Sequence, residues 1–182
     1  MNNIYLGLVH YPINNKFNQL VTTSVTNLDI HDIARSCTTF GIKKYFIISP
    51  LESQKEMLMR ILKFWNSEIA EKFNPDRVTA LSLVKHAKDI SAAKEMIKYQ
   101  EGEYPLVITT TAAKLDHQID FAAISKFTQP ILLLFGTGNG LAKEVHEFAD
   151  FILKPIAGLG EYNHLSVRSA VAIILDRIHS EK

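Results

Sequence analysis

Short runs of consecutive apolar residues alternate along the chain with stretches in which apolar residues recur every three or four positions. The short runs are typical of strands that are covered on both faces, and the second pattern is typical of amphipathic helices. We predict six strands, near residues 4–9, 44–48, 78–83, 106–110, 131–135 and 151–156. Strands that alternate with helices predict an α/β fold with a mainly parallel six-stranded sheet flanked by helices.

Five helices are predicted, over about residues 28–40, 52–72, 89–99, 140–149 and 164–179. The apolar face of the first includes Cys37, which we expect to be packed in the core. Trp65, on the apolar face of the second, is also interpreted as a core residue, with a surface for base stacking as the alternative. In the last helix, Ala172 and Ile173 lie outside the main apolar stripe. This favours a second packing partner, either another copy of the chain or other parts of its own fold.

The composition describes one folded domain. Of 182 residues, 47% are hydrophobic and 21% are charged, which is typical of a globular protein and not of a disordered or fibrous one. At about 150 residues per domain, this length predicts a single domain over residues 1–182. Lysine and arginine number 20 against 19 for aspartate and glutamate, for a net charge of +1. This balance excludes a strongly basic nucleic-acid coat and permits a local basic patch.

Further features limit the compartment and the chemistry. A lone cysteine cannot form an intramolecular disulfide, and residues 1–4 do not begin a secretory leader pattern. The purest apolar run, residues 131–135, is far shorter than the ~20 residues of a membrane helix. We therefore expect a cytoplasmic protein without a membrane segment. The seven histidines show no ligand spacing, so no metal site is predicted.

The first candidate for ligand binding is a strand that ends in a glycine-rich turn, FGTGNGL at residues 135–141. Glycines in such a turn let the backbone approach a ligand closely and adopt a positive φ. The spacing differs from the GxGxxG of dinucleotide-binding proteins, which normally follows the first strand of its domain. An ordinary tight turn without a ligand is the alternative.

Two other segments carry candidate chemistry. In residues 152–170 a strand and a glycine-containing loop precede a helix with a polar start, where Asn163 and Ser166 are capping candidates. The free N–H groups of that helix start either hold a ligand or are capped. In residues 27–41, Arg35 lies beside a core face, as a surface charge or as a group that binds phosphate.

Taken in chain order, these three segments resemble the motifs of the SPOUT superfamily of S-adenosylmethionine-dependent RNA methyltransferases, over nearly the whole chain. Arg35 and Phe40-Gly41 match the family's N-x-x-x-x-x-R…F-G segment, with Asp29 at the usual asparagine. The L-x-x-G-x-x-x-G-L loop is matched by Gly136, Gly140 and Leu141, with Gly138 at a frequent glutamate. The I-P-x…S-L-N-V-S-x-A stretch is matched by Pro155, Ile156, Leu165, Val167 and Ala170, with Ser166 at a common asparagine.

The resemblance is closer still to a small uncharacterised bacterial branch that consists of this domain alone. It implies a deep C-terminal trefoil knot, a homodimer through the C-terminal helix, an RNA substrate and S-adenosylmethionine bound in the knot. The implied cofactor-binding residues lie in three loops: Thr109, Thr110, Thr111, Phe135, Gly136, Thr137, Gly138, Gly140, Leu141, Pro155, Ile156, Asn163, Leu165, Ser166 and Ala170.

Arg35 and Asp29 are the expected catalytic residues. Arg35 would hold a phosphate or polarise a ribose hydroxyl, and Asp29 would act as a base on a ring nitrogen. His10, after the first strand, is a further candidate, although a lone histidine is more often structural. With a net charge near zero, RNA binding would depend on clustered residues such as Lys43, Lys44 and Arg168, or on the doubled surface of a dimer.

Two other functions remain compatible with the residues. One is a non-catalytic RNA- or cofactor-binding module with the SPOUT fold, and the other is an unknotted nucleotide-cofactor enzyme that uses the turn at residues 136–140. The RNA species, the modified nucleotide and the choice between ribose 2′-O and base nitrogen also stay open.

Overall fold

The computed structural model describes residues 3–160 and 162–180. Its strands are β1 (Ile4–Val9), β2 (Ile13–Asn14), β3 (Leu20–Val21), β4 (Tyr45–Ile48), β5 (Val84–Ala87), β6 (Leu106–Thr109), β7 (Gln118–Ile119), β8 (Ile131–Gly136) and β9 (Phe151–Leu153). The helices are α1 (Asn27–Thr39), α2 (Glu52–Trp65), α3 (Glu68–Phe73), α4 (Pro75–Leu81), α5 (Ile90–Glu101), α6 (Lys143–Glu147) and α7 (Val167–Ser180). A 3-10 helix, Phe121–Lys126, precedes β8.

Seven strands form one sheet in the order β5-β4-β1-β8-β6-β9-β7, and every neighbouring pair is parallel. The predicted parallel α/β architecture is therefore confirmed. The predicted number of strands is wrong, because β7 adds a seventh strand at the edge beside β9. With only two residues, Gln118–Ile119, β7 is too short to produce a periodicity that a sequence can reveal.

The central strands of the sheet are buried on both faces, which explains why β1, β4 and β8 are continuously apolar. On one face, Leu6 and Leu8 of β1 pack in a core that includes α1 and α7. On the other face, Tyr5 and Val9 pack in a second core that includes α5 and α6. Cys37 is fully buried in the first core, as predicted, and burial raises the pKa of its thiol. Strand β1 thus contributes alternate side chains to both cores.

The predicted strand at residues 78–83 is wrong. This segment begins as helix α4, whose first residue is Pro75 and whose N-cap is Asn74. The Asn74 side chain accepts a hydrogen bond from the Arg77 N–H at 2.9 Å. Proline suits the first helical position because the N–H it lacks would have no partner there. The strand follows the helix at Val84–Ala87.

The long helix predicted over residues 52–72 is two helices. Helix α2 ends at its C-cap, Asn66, and Ser67 is the N-cap of α3. In α7 the predicted apolar stripe is confirmed, since Val171, Ile174 and Leu175 are buried against the sheet. Ala172 and Ile173 are half-buried. Among the described residues, no helix has the length and apolar character needed to cross a membrane.

The cap of α4 gives a test of this part of the fold. We expect Asn74→Ala to lower the free energy of unfolding by about 1 kcal/mol, because the Arg77 N–H loses its partner. Urea unfolding measures this loss. Asn66→Ala is the matched control, since Asn66 ends α2 through its backbone N–H alone. Equal stability of the two variants would contradict the assigned cap.

Candidate functional site

The candidate site lies where the central strands end. From β1 the chain passes to β4 and β5 on one side, whereas β8, β6 and β9 lie on the other. The order of the strands therefore reverses between β1 and β8. In open parallel sheets, ligands bind beyond the carboxyl ends of the strands at such a reversal. Val9 pairs with Gly136, so the chain leaves β1 at His10 beside the glycine-rich turn that follows β8.

The glycine-rich turn closes on itself. The Gly140 N–H donates to the Thr137 carbonyl at 3.0 Å. A Cβ atom at position 136 would lie only 2.5 Å from the Leu141 nitrogen, so this position admits glycine alone. Gly138 and Gly140 have φ values of +56° and +102°, which favour glycine. The backbone geometry of the turn thus explains why glycine occupies these three positions.

A hairpin of β2 and β3 covers one side of the turn. The Asn14 N–H donates to the Gly140 carbonyl at 3.2 Å, and the Asn139 N–H donates to the Asn14 carbonyl at 3.3 Å. A Cβ atom on Gly138 would lie 3.3 Å from methyl groups of Ile13 and Thr23. Gly138 therefore faces the hairpin. The sequence reasoning missed this hairpin, because each of its strands has only two residues.

His10 connects the end of β1, the hairpin and the turn. Thr137 Oγ1 donates to the Val9 carbonyl at 3.1 Å, so Thr23 Oγ1 is the donor in its short contact with Thr137 Oγ1. Thr23 Oγ1 then accepts from His10 Nδ1, which lies 3.0 Å away. The proton is thereby assigned to Nδ1. His10 Nε2 is buried and has no hydrogen-bond partner among the described residues.

Burial sets the protonation of His10. The side chain is fully buried, and desolvation lowers the pKa of His10 to about 4, although the nearby Asp29 carboxylate acts in the opposite direction. At neutral pH the ring is neutral. A neutral ring that bridges three segments holds the glycine-rich turn in place, and its burial keeps it from a substrate.

A second polar cluster joins the starts of α1 and α7. Asp29 is nearly buried, and its Oδ2 accepts from Thr26 Oγ1 at 2.6 Å. Thr26 also caps α1 by accepting from the Asp29 N–H at 3.1 Å. Arg168 Nε lies 3.8 Å from Asp29 and 3.9 Å from Asp32. The structure thus brings a predicted catalytic carboxylate beside a predicted RNA-binding arginine.

The loops after β6 and β9 meet at the same edge of the sheet. Thr110 Oγ1 donates to the Leu134 carbonyl at 2.9 Å, and Thr109 Oγ1 lies 2.9 Å from His146 Nδ1. Asn163 Nδ2 donates to the Ala112 carbonyl at 3.1 Å, which fastens the last loop onto the loop after β6. Ser166 is a cap, as predicted, because its Oγ accepts from the Ser169 N–H at 3.2 Å.

The remaining cofactor candidates divide by exposure. Phe135 and Leu141 have buried side chains, so only their backbone faces the edge. Pro155, Ile156 and Ala170 are half-buried, and Leu165 is exposed. They form apolar surface in the last loop and at the start of α7.

Arg35 stands apart from the polar cluster. Its side chain is exposed on α1, and it follows Asp29 by six positions of the helix, which places the two residues on different faces. It makes no ion pair among residues 3–160 and 162–180. Lys43 and Lys44 precede β4, at the opposite edge of the sheet from the loops.

The loops offer a donor set that suits adenosine. Within the described chain, the N–H groups of Thr111, Thr137 and Gly138 have no hydrogen-bond partner. Backbone N–H and carbonyl groups can read the edge of an adenine, and the apolar residues of the last loop can cover its face. These residues fit a nucleoside cofactor. Nowhere in the described part of the chain do three or more potential metal ligands cluster.

The fold is a parallel α/β fold in which three loops with free backbone N–H groups meet at the carboxyl edge of the sheet, an arrangement that suits a nucleoside. A model of SAM-dependent RNA methyltransferases matches residues 3–180, and the chain belongs to that family. The cofactor of the family is S-adenosylmethionine. The predicted family and cofactor are confirmed.

The chain is similar to a "tRNA (guanine-N(1)-)-methyltransferase" of Oleidesulfovibrio alaskensis, with 46% identity over 97% of this chain and 42% of that protein. It thus spans less than half of that relative. An uncharacterized protein of Aquifex aeolicus is 38% identical over 98% of this chain and 89% of its own length. The SpoU methyltransferase AviRb of Streptomyces viridochromogenes shares the fold, with a TM-score of 0.61 and 16% identity over 99% of this chain and 59% of that one.

The buried His10 predicts a pH dependence of stability. The pKa is lowered from 6.5 to about 4 in the folded protein, so the unfolded chain binds the proton more readily between these values. The neutral His10 ring therefore contributes fully to the free energy of unfolding above pH 6.5, and this contribution is lost as the pH falls toward 4. We expect the wild type to lose about 2 kcal/mol more than His10→Gln between about pH 7.5 and pH 5.

Urea unfolding across this pH range measures the difference. Burial also lowers the pKa values of His31 and His146, but both residues are present in both proteins. His10 affects only the difference between the two proteins in how steeply the free energy of unfolding changes with pH. A general loss of stability in the variant therefore does not obscure the result. Parallel curves would show that His10 titrates alike in the folded and unfolded protein.

Proposed function

We propose that this chain transfers the methyl group of S-adenosylmethionine to RNA at the carboxyl edge of its sheet. The observation that carries this proposal is the convergence of the loops after β6, β8 and β9, fastened by the bond from Asn163 to the Ala112 carbonyl. S-adenosylmethionine supplies an activated methyl group. The protein therefore has to align the acceptor with that group and remove a proton where the acceptor requires it.

Cofactor binding is assigned to the three loops. The N–H groups of Thr111, Thr137 and Gly138 would donate to the nucleoside, and Pro155 and Ile156 would supply apolar walls. We also propose that α7 is threaded through a loop to form the trefoil knot implied by the sequence motifs. The contact between Asn163 and Ala112 supports the threading, because it draws the segment before α7 across the loop after β6.

Asp29 is the proposed proton acceptor. Its carboxylate is nearly buried and is fixed by Thr26 and Arg168, so it has one defined orientation at the start of α1. A protonated ring nitrogen of a nucleobase and a ribose hydroxyl each lose a proton on methylation, and a carboxylate in this position can accept it.

Arg35 is proposed to contact the RNA and not the cofactor. Its exposed guanidinium can bind a phosphate by two parallel hydrogen bonds, which an ammonium group does not reproduce. Because the relative from Oleidesulfovibrio alaskensis is named a tRNA methyltransferase, tRNA is the first substrate that we propose. An RNA substrate also agrees with the cytoplasmic location expected from the sequence.

Transfer of a labelled methyl group to bulk tRNA tests the activity. The wild type should incorporate label, and Asp29→Asn should reduce it strongly while cofactor binding, measured by calorimetry, is retained. Nucleoside analysis of the product separates ribose from base methylation. Cofactor binding without incorporation into any cellular RNA would favour the alternative function, a non-catalytic binding module of the same fold.

Arg35 gives a sharper test of the RNA side. We expect Arg35→Lys to keep cofactor affinity within about twofold and to reduce methyl transfer by about tenfold, a loss of about 1.4 kcal/mol. Lys43→Ala is the control, because Lys43, although its sequence makes it a candidate RNA contact, is an exposed positive charge at the edge of the sheet opposite the three loops. If Arg35→Lys and Lys43→Ala are equally active, Arg35 is an ordinary surface charge.

We also propose a homodimer through α7. The half-buried Ile173 lies beside the main apolar stripe, and a second copy would bury it completely. Ile173→Glu should leave the helix content unchanged and shift the protein to monomer in light scattering, because the interface would contain an unpaired charge. Ser180→Glu, at the exposed end of α7, should remain dimeric. A wild type that is monomeric at all concentrations would overturn the proposal.

A further inference from the structure

A groove of about 520 Å³ lies between α1, α2 and α4, outside the three cofactor loops. We call it the α1–α2–α4 groove. Its principal side chains are Leu28, His31, Arg60, Phe64, Trp65 and Arg77. The volume lies within the roughly 300–1,000 Å³ that is usual for small-molecule sites.

Aromatic surface forms one wall of this groove. Trp65 is half-buried and packs against the core, as predicted, but it also faces the groove. The edges of His31 and Phe64 meet its ring at centroid distances of 5.5 Å and 5.4 Å. Phe64 is 54% exposed. The exposed Phe64 ring, which stands at 83° to the Trp65 ring, can stack on the face of a nucleobase whose edge then meets Trp65.

Positive charge forms the other part of the groove. The Arg77 guanidinium lies 5.7 Å from the centre of the Trp65 ring, and its Nη1 is 3.0 Å from His31 Nδ1. Arg60 is exposed. Neither arginine forms an ion pair with a carboxylate of the described residues. Burial and the neighbouring Arg77 lower the pKa of His31, so His31 is neutral at neutral pH and accepts the arginine's hydrogen bond.

The groove adjoins the proposed reaction site through Asp32. This residue lines the groove, and its carboxylate is 3.9 Å from Arg168, which also lies 3.8 Å from Asp29. A strand of RNA whose reacting nucleotide lies near Asp29 would therefore pass directly to the groove. The carboxylate of Asp32 at this end disfavours a phosphate there, so we assign the phosphate to Arg60.

We propose that the α1–α2–α4 groove binds one nucleotide of a single-stranded segment of the substrate RNA, with its base against Phe64 and Trp65 and its phosphate on Arg60. This inference rests on the proposed function for the identity of the polymer. It adds a second RNA contact that would select the nucleotide neighbouring the one that is methylated.

Trp65 reports on the groove directly, because it is the one tryptophan in the sequence. The probe is a short single-stranded RNA oligonucleotide of mixed sequence, added to the full chain at constant ionic strength. We expect saturable quenching of the tryptophan fluorescence, since a base would stack beside the indole. Inorganic phosphate at the same ionic strength should give no such signal. Quenching by phosphate alone would overturn the nucleotide assignment.

The variants are chosen for exposed side chains, so that the fold is retained. Arg60→Ala and Phe64→Ala should each weaken RNA binding by about fivefold or more, and Arg60→Ala should also lower the salt dependence. Lys63→Ala is the matched control, because it removes a charge from α2 outside this groove and should bind within about twofold of wild type. Unchanged binding in both Arg60→Ala and Phe64→Ala would overturn the inference.

The outcomes separate this inference from the proposed function. Methyl transfer to RNA that is unaffected by Arg60→Ala and Phe64→Ala would leave the function standing and overturn the nucleotide site. Fluorescence quenching that depends on Arg60, without methyl transfer to any RNA, would support the site and contradict the function. A fluorescence change that follows protein concentration alone would mean that a second copy covers the groove, which also overturns the inference.

Discussion

The pairing of β1 with β8 is the constraint on which the site depends. These two central strands are buried on both faces and run parallel over six residues, from Ile4 beside Ile131 to Val9 beside Gly136. Since side chains alternate between the faces, a shift of one residue would exchange the two cores. The register therefore places His10 beside the glycine-rich turn, and the Thr137 hydroxyl reaches back to the Val9 carbonyl.

Polar groups at this edge of the sheet are held by contacts with one another. His10 is neutral because it is buried, and its Nδ1 proton secures the hairpin through Thr23. Asp29 is fixed by Thr26 and faced by Arg168, which joins the first and last helices of the fold. A buried carboxylate without these partners would be costly. The edge is thus organised before any ligand arrives, as binding with little reorganisation requires.

The sequence predicts the structure correctly where a pattern extends over several residues or where a residue has a specific capping role. The apolar strands 4–9 and 131–136, the amphipathic helix α1 and the serine cap of α7 all have patterns of several residues, and the structure contains them. It was misleading at residues 78–83, where a cap at Asn74 and the proline after it favour a helix over an apolar run. Two-residue strands such as β2 and β7 have no period to detect, because their pairing is decided by distant segments.

For the site, the motifs identified the three loops but not the network that supports them. The sequence favours Arg168 as an RNA contact, whereas its position beside Asp29 and Asp32 follows from the packing of α7 on α1, which no local sequence pattern reveals. Aromatic residues and arginines that lie far apart in sequence likewise meet only in the folded groove. Contacts between distant segments are therefore what the structure adds.

The central claim is that the loops after β6, β8 and β9 bind S-adenosylmethionine, and amide NMR spectroscopy tests it most directly. Glycine signals provide the reporters: Gly138, Gly140 and Gly158 lie in the loops, whereas Gly41 and Gly102 lie in turns at the opposite edge of the sheet. If these loops bind the cofactor, S-adenosylmethionine shifts the first three signals and leaves the other two unchanged. Saturable shifts confined to other regions, with Gly138, Gly140 and Gly158 unmoved, would contradict it.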